Sequence, residues 1–288
     1  MTDSSNSANN QATLDYCISK SIPDGSNLYY ATLFDKEKNK SIIISFHAFL
    51  NELSDIIYEC SDPGVARIKL GWWQEEIEQL KNRHPRHPVT RHFLQCILID
   101  NETIDAFKIV INGFEEILLL EQPDSISTCL LLFEKSSGEV WKQCARQLGI
   151  SELETLDKIR KMGAVYHFLF CLQQPHIYIT ETRCIIPSSC IDQTTLFELI
   201  ANRSNSSLDQ NRLIRPILSD LINYLNTIYN DISQKERALF RHGLILSRIA
   251  SKTAEEVQKE GCELLTTSIS LTPIRKLWIA WVTNLFIR

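Results

Sequence analysis

Two carboxylates, Asp55 and Glu59, stand four residues apart in the segment NELSDIIYE of a predicted helix. Side chains at positions i and i+4 lie on the same face of a helix, so this pair could bind a divalent cation. The alternative is a pair of carboxylates that faces solvent or a neighbouring helix. Whether the pair forms a metal site or a solvated surface therefore depends on the residues around it.

Histidine is a second side chain that could serve in catalysis or metal binding. His84, His87 and His92 cluster in NRHPRHPVTRH, where two prolines and three arginines indicate a surface loop. His47 and His167 stand in apolar helical segments, where a hydrogen-bonded or pocket-lining histidine is expected. We predict none of the five to be a catalytic base or a metal ligand.

Cysteine chemistry is not supported by the sequence. The nine cysteines are scattered, odd in number and never spaced as CxxC, which fits neither a disulfide framework nor a zinc site. Most of them are expected to be buried apolar residues in a reducing compartment. Glycine-rich phosphate loops, a GxSxG elbow and HExxH are also missing, so nucleotide, acyl and metalloprotease chemistry have no support.

The elements that must position these side chains are helices. Apolar residues recur at three- and four-residue spacing along nearly the whole chain, which predicts an all-α fold. A long helix is predicted over 41–59, and Pro63 opens the next helix, so the two should pack as an antiparallel hairpin. Further helices are predicted at 103–120, 125–148, 151–173, 208–230, 233–250 and 272–286, with Gly149 as a C-cap and Ser151 as an N-cap.

Length and composition indicate one domain. The chain has 288 residues, of which 44% are hydrophobic, and residues 1–11 are predicted to be a disordered polar tail ahead of a helical domain over 12–288. The net charge of −5 comes without a basic block, so nucleic-acid binding is not expected. No apolar run reaches the roughly 20 residues of a membrane span. We expect a cytoplasmic protein with at most a peripheral contact at the inner face of a membrane.

Four segments, in the same order and with similar spacing, resemble bacterial squalene/phytoene synthases, especially the branch that makes presqualene diphosphate. They are GSNLYYATLF (25–34), HAFLNELSDIIYECSDPGVARIKLGWWQEEI (47–77), HPV (87–89) and SLTPIRKLWIAW (270–281). The resemblance implies a single-domain α-helical terpenoid-synthase fold with a central cavity. It also implies an activity that joins two prenyl diphosphates head to head.

The resemblance assigns roles to several side chains. Ser26, Tyr29 and Tyr30 fall in the segment that contacts substrate in the family. Five apolar side chains fall on positions that pack in the core of family members, so we expect them to be buried. They are Leu70, Trp72, Trp73, Trp278 and Trp281.

A prenyl diphosphate leaves only when its charge is neutralised, and the family does this with Mg²⁺ held by two facing Asp-rich motifs. The first motif, close to REVDDVVDE, aligns with residues 51–59 of this chain. Ser54 and Tyr58 stand for the two metal-binding aspartates and Asn51 for the arginine. Asp55 and Glu59 lie one residue further on, which is a rotation of roughly 100° around the helix, so we expect them to face solvent or the hairpin.

The second family motif, roughly LGxAxQLTNIIRDVxEDxxRGRxYLP, aligns without a gap with MGAVYHFLFCLQQPHIYITETRCIIP (162–187). Pro175 falls inside this predicted helix, which should kink or end there. Glutamine and tyrosine carry no charge at neutral pH, so this motif should not hold the metal. Phe170 stands for the asparagine, Gln173 for the arginine, Gln174 and Tyr178 for the two aspartates and His167 for a glutamine, while Arg183 is retained.

Three functions remain open for a member whose two motifs are degenerate. It could be non-catalytic and act through contacts with an unidentified protein partner. It could instead be an active head-to-head prenyl transferase with a metal site rearranged around Asp55, Glu59 and either Glu115 or Glu116. It could also be a carrier or sensor that binds an isoprenoid or lipid-like ligand without turnover. No cofactor is predicted, except Mg²⁺ for the second function.

Overall fold

The computed structural model describes residues 2–174, 184–192, 194, 206–260 and 269–287, and the regular elements in these ranges are helices. This confirms the predicted all-α fold. None of the helices in these ranges has the length and apolarity to cross a membrane. In chain order they are α1 (Thr2–Ser21), α2 (Asn27–Ala31), α3 (Glu37–Tyr58), α4 (Pro63–Lys81), α5 (Pro88–Cys96), α6 (Asn101–Leu119), α7 (Ile126–Phe133), a π-helical turn (Glu134–Gly138), α8 (Glu139–Gln147), α9 (Leu153–Leu172), α10 (Ser206–Asp231), α11 (Gln234–Leu239), α12 (Arg241–Glu260) and α13 (Pro273–Ile287).

The hairpin of α3 and α4 forms where the sequence predicts it. Asp62 caps α4, because its Oδ1 accepts hydrogen bonds from the backbone N–H groups of Gly64 (2.7 Å) and Val65 (3.3 Å). Pro63 occupies the first turn, where a helix has no use for the N–H that proline lacks. Helix α3 is buried along most of its length, and its partners include α1, α4, α5, α6 and α8.

The N-terminal segment, predicted to be a disordered tail over 1–11, contains the start of α1, which begins at Thr2. The C-terminal part of α1 packs on α3 and α5, with Cys17 fully buried. Gln11 Nε2 donates a hydrogen bond of 2.7 Å to Asp15 Oδ1 one turn further on. Once packing has formed the first turns, extending a helix is favourable, which explains why polar residues continue it.

The predicted helix over 125–148 is divided. It consists of α7, the π-helical turn and α8, and the turn brings Ser136 and Ser137 into the core. Gly149 ends this region with a φ of +104°, which confirms it as the C-cap glycine. The N-cap prediction for Ser151 is wrong, since Glu152 is the N-cap of α9 and no side chain bonds to the first turn.

Two glycines let α9 lie close to the π-helical turn and α8. A Cβ at Gly138 would lie 2.4 Å from the carbonyl oxygen of Arg160, and a Cβ at Gly163 would lie 2.7 Å from Cγ of Trp141. Real Cβ atoms do not approach other atoms so closely. The position of α9 therefore depends on the absence of a side chain at both glycines.

The tryptophans of the resemblance segments do not all pack in the core. Trp73 and Leu70 are buried, as expected, while Trp72 is 37% exposed. Trp278 and Trp281 on α13 contradict the expectation, with 62% and 44% exposure. The reason is the rotation of α13, which turns another set of its side chains towards the protein, namely Lys276, Ala280, Thr283, Asn284 and Ile287.

Substitution of Gly163 by Ala tests the close packing of α9. We expect Gly163→Ala to lower the free energy of unfolding by about 1–3 kcal/mol, because the new methyl group would collide with Trp141. Urea unfolding followed by circular dichroism measures the change.

Gly71→Ala is the matched control, since nothing lies within 4 Å of a Cβ at this helical glycine. It is expected to raise the stability by about 0.5–1 kcal/mol, because alanine loses less backbone entropy than glycine. Equal effects of the two substitutions would contradict the close contact between α8 and α9.

Candidate functional site

Two adjoining pockets of about 300 and 330 Å³ lie between α3 and α9. They share five lining residues, and we call the two together the central cavity. Helix α3 lines it from one side and α9 from the other, with the end of α9 closing one edge. The shared residues are His47, Asn51, Tyr166, Phe170 and Gln174.

The first-motif residues on α3 all reach this cavity. Asn51, Ser54, Asp55, Tyr58 and Glu59 line its 300 Å³ part. Asp55 and Glu59 lie at the rim of the cavity and also border a groove between α3 and α4. This groove and the exposure of Glu59 agree with the expectation that the pair faces solvent or the hairpin, and the contact with the cavity was not expected.

The Asp55 carboxylate already forms an ion pair with a lysine. Lys20 of α1 forms an ion pair and a hydrogen bond with Asp55, and its Nζ lies 3.5 Å from Oε1 of Glu52. Burial lowers the pKa of Lys20, but the hydrogen bond to Asp55 and the negative charges of Glu52 and Asp55 outweigh burial and raise this pKa above its usual value. Lys20 therefore stays charged where a cation would approach Asp55.

Sequence reasoning missed Lys20, and no local signal could have found it. It lies before the first segment that resembles the family and stands 35 residues from Asp55 along the chain. The amide of Asn51 donates a hydrogen bond of 2.9 Å to the carbonyl oxygen of Lys20, so the residue that replaces the family's arginine holds α1 against α3.

The second-motif positions on α9 bring no carboxylate to the cavity. Phe170 stacks on Tyr166 with ring centroids 6.4 Å apart and an interplanar angle of 22°. Gln173 is buried, and its Nε2 donates to the carbonyl oxygen of Ala250 at 2.9 Å, which ties the end of α9 to α12. Gln174 lines both parts of the cavity.

Ser54 and Gln174 line the same part of the cavity from opposite elements. This agrees with the prediction that the two motif positions lie at one central cavity. Helix α9 ends at Leu172, ahead of Pro175, as the steric demands of proline on the preceding residues require. Residues 175–183 of this motif lie outside the described part of the chain, among them Pro175, Tyr178 and Arg183.

The described part of this site does not fit a magnesium cluster. Mg²⁺ binds oxygen ligands, chiefly carboxylates, in a strict octahedral geometry. The carboxylates that line the described part of the cavity are Asp55 and Glu59, both on the α3 side, and Lys20 pairs with the first of them. Among the described residues there is no group of three or more His, Cys, Asp or Glu side chains placed to hold a metal ion. Glu115 and Glu116 pair instead with Arg67 and Lys135 on α4 and the π-helical turn.

Three buried histidines lie at or behind the cavity wall. Burial lowers the pKa of His47 and of His167 to about 4. Burial, followed by the nearby charge of His47, holds the pKa of His242 well below its usual value. The rings of His47 and His242 lie 6.1 Å apart. All three are therefore neutral at pH 7, and sequence reasoning missed His242, which no motif distinguishes.

His167 lines the cavity with an unused nitrogen. Its ring packs against Phe133 with centroids 4.9 Å apart, and its Nε2 is buried without a hydrogen-bond partner among the described residues. A buried polar atom without a partner costs free energy, so a ligand atom that bonds to it would be favoured.

The opening segment contributes one of its three predicted residues. Ser26 lines the cavity and caps α2, accepting a hydrogen bond of 3.2 Å from the Tyr29 N–H. Tyr29 is 41% exposed and Tyr30 packs in the core. Lys276 of α13 lines the cavity too, and its Nζ donates to the carbonyl oxygen of Gly25 at 3.0 Å. The segment that contains Lys276 was identified from the sequence, but the position of Lys276 at the cavity was not predicted.

Comparison with known proteins bears on the fold and the family. A family model described as squalene/phytoene synthase matches residues 23–276. The structure of squalene synthase HpnC from Alicyclobacillus acidocaldarius is similar, with a TM-score of 0.66 and 13% identity over 88% of this chain and 95% of that chain. A dehydrosqualene synthase in complex with a ligand gives a TM-score of 0.76 and 12% identity over 96% and 97%. At such low identity these structures show a shared fold, and the curated proteins contain no match.

The buried histidines predict an acid-sensitive fold. In the folded protein His47 and His167 stay neutral down to about pH 4, whereas the unfolded chain binds protons below 6.5. Stability is therefore complete above pH 6.5 and is lost as the pH falls towards 4, by up to about 3 kcal/mol for each histidine. Urea unfolding across this pH range measures the slope.

His167→Gln should flatten this pH dependence, whatever it does to stability at pH 7. His84→Gln, at an exposed position, is the control and should leave the slope as it is. An unchanged slope in His167→Gln would contradict a neutral, buried His167.

Proposed function

Because the chain belongs to the squalene/phytoene synthase family, we propose that it is a non-catalytic member which binds an isoprenoid or a similar lipid in the central cavity. One observation carries the proposal. The cavity between α3 and α9 keeps its aromatic walls, while Ser54, Tyr58 and Gln174 replace metal-binding aspartates on its two sides.

The walls suit a long apolar ligand. Leu28, Leu50, Tyr166 and Phe170 line the cavity, and its two parts of about 330 and 300 Å³ adjoin each other. Volumes of this order are typical of sites for small organic ligands. An isoprenoid chain would exchange water for contact with these side chains, and burial of apolar area favours binding by roughly 25 cal/mol per Å².

The polar groups of the cavity suit an uncharged head group better than a diphosphate. His167 is neutral and offers a buried nitrogen, and Asn51 and Gln174 are amides. Such groups exchange hydrogen bonds with a hydroxyl or carbonyl group. A diphosphate would need several compensating charges, whereas Lys276 is the one cation among the described lining residues and the ammonium group of nearby Lys20 is already engaged by two carboxylates.

One observation supports a second, catalytic function. Asp55 and Glu59 lie at the rim of the cavity, next to the family's two metal-binding positions. An active head-to-head prenyl transferase could use them if Asp55 released Lys20 in exchange for Mg²⁺. The cost of separating Asp55 from Lys20 favours the non-catalytic function, and so does the lack of a carboxylate among the described α9 residues that line the cavity.

Magnesium distinguishes the two functions. We expect the affinity for farnesyl diphosphate in isothermal titration to be the same with and without Mg²⁺, because metal and diphosphate bind as one unit only where carboxylates hold the metal. Incubation of the protein with farnesyl diphosphate, Mg²⁺ and NADPH should yield no product above a heat-killed control.

Squalene, presqualene diphosphate or phytoene in that incubation would overturn the non-catalytic function. The double variant Asp55→Asn, Glu59→Gln would then identify the metal site. Loss of product in this variant, with retention in Glu115→Gln, would establish the rearranged site on α3.

Ligand binding has its own test, with farnesol as an uncharged probe. Ser54 is half-buried at the cavity, so the indole of Ser54→Trp would fill part of the volume. We expect this variant to bind farnesol about tenfold more weakly than the wild type. Ser19→Trp places the same side chain at an exposed site on α1 and should bind like the wild type. Equal affinities of the two variants would exclude this cavity as the binding site.

A further inference from the structure

Helix α13 exposes its apolar side chains and buries its polar ones. Lys276, Thr283 and Asn284 face the protein with exposures of 7%, 7% and 2%. A helix at a water-exposed surface normally has the opposite arrangement. The exposed apolar side chains are Ile274 (80%), Leu277 (46%), Trp278 (62%), Trp281 (44%), Leu285 (45%) and Phe286 (77%).

Specific contacts hold α13 in this orientation. Lys276 donates a hydrogen bond of 3.0 Å to the carbonyl oxygen of Gly25, and its Nζ lies 6.0 Å from the ring centroid of Tyr30. Arg275 forms an ion pair of 2.8 Å with Glu256 of α12. Rotation of α13 to bury Trp278 would break these contacts. The apolar face is therefore a fixed feature of the surface, and a contiguous exposed patch of this kind indicates a docking surface.

A groove of about 790 Å³ runs along this face and carries positive charge on its other wall. Arg237 and Arg248 both lie over the ring of Tyr229, with guanidinium carbons 4.5 and 4.6 Å from its centroid. Arg237 donates to backbone carbonyl groups, and Arg248 donates to Oδ1 of Asn226 at 3.0 Å. No carboxylate in the described ranges pairs with either guanidinium group.

The other charges of the groove are balanced. Lys252 pairs with Glu255, and Arg275 pairs with Glu256, each through contacts of 2.7 to 2.8 Å. The excess positive charge of Arg237 and Arg248 therefore stands beside the apolar face, in a chain whose net charge is −5. Exposed tryptophans of α13 therefore lie beside uncompensated arginines of α11 and α12.

We propose that this surface, formed by the exposed face of α13 with Arg237 and Arg248, docks the protein onto a lipid membrane with anionic headgroups. Trp and Phe side chains insert at the boundary between headgroups and acyl chains, where an amphipathic indole is most stable. The two guanidinium groups bind phosphate oxygens in the headgroup layer, a geometry that arginine matches with paired N–H donors.

A membrane fits this surface better than a second copy of the chain. A partner copy would have to bring carboxylates to Arg237 and Arg248. No carboxylate is among the described residues that line the groove, and the two that pair with groove residues, Glu255 and Glu256, are already bound by cations of their own copy. An anionic bilayer supplies both the negative charge and the apolar layer.

Vesicle sedimentation tests the proposal with the full chain. We expect the protein to sediment with vesicles of phosphatidylcholine and phosphatidylglycerol, and to sediment less with phosphatidylcholine alone. Raising the salt concentration should weaken binding, because it screens the arginine contacts. Binding to neither vesicle would overturn the proposal.

Variants locate the surface. Trp278→Ser with Trp281→Ser should reduce partitioning into anionic vesicles about tenfold or more, and Arg248→Gln should reduce it severalfold for anionic vesicles in particular. Ile68→Ser with Leu153→Ser removes equally exposed apolar side chains elsewhere and is the control, as is Arg67→Gln for the charge. Unchanged partitioning of the tryptophan variant would overturn the proposal.

Light scattering after size-exclusion chromatography tests whether this surface binds a second copy of the chain. A wild-type dimer that becomes a monomer in the tryptophan variant would assign the surface to self-association and overturn the membrane proposal. A monomer in both, together with vesicle binding, supports it. These outcomes do not depend on whether farnesol binds in the cavity, so failure here leaves the proposed function untouched.

Discussion

The packing of one tryptophan sets the distances between the helices that form the cavity. Trp141 of α8 is almost fully buried, and its ring lies 6.4 Å from His47 of α3, 4.9 Å from Tyr166 of α9 and 5.6 Å from Phe240 at the start of α12. The ring fits against α9 because Gly163 has no side chain. Since packed interiors tolerate little change in volume, this contact determines how far apart α3 and α9 stand.

The same packing explains the protonation of the cavity wall. His47 is buried beside the Trp141 ring, and desolvation by burial lowers its pKa to about 4 and keeps this histidine neutral at pH 7. His167, on the opposite side, is neutral for the same reason. A wall made largely of neutral imidazoles, amides and aromatic rings is suited to an apolar ligand with a hydroxyl or carbonyl head. Of the two carboxylates at the rim, Asp55 and Glu59, the first is paired with Lys20.

Helix α13 connects the cavity with the proposed membrane surface. Its inner side places Lys276 at the cavity, and its outer side places Trp278 and Phe286 along the basic groove. One helix therefore lies between a site suited to lipids and a surface suited to a bilayer. The contacts that hold α13 in this orientation include the hydrogen bond from Lys276 to Gly25 and the ion pair between Arg275 and Glu256.

The sequence by itself determined the features that depend on neighbouring residues. Apolar spacing determined the all-α fold, Asp62 and Pro63 determined the boundary between α3 and α4, and the ungapped second motif predicted that Ser54 and Gln174 face each other. The tertiary structure decided the features that join distant residues. Lys20 neutralises Asp55 from another helix, and the contact that orients α13 spans 251 residues, so its exposed tryptophans could not be read from a segment that is apolar on nearly every side. Local patterns specify which helices form, whereas long-range contacts decide which face of each helix is buried and which charges meet.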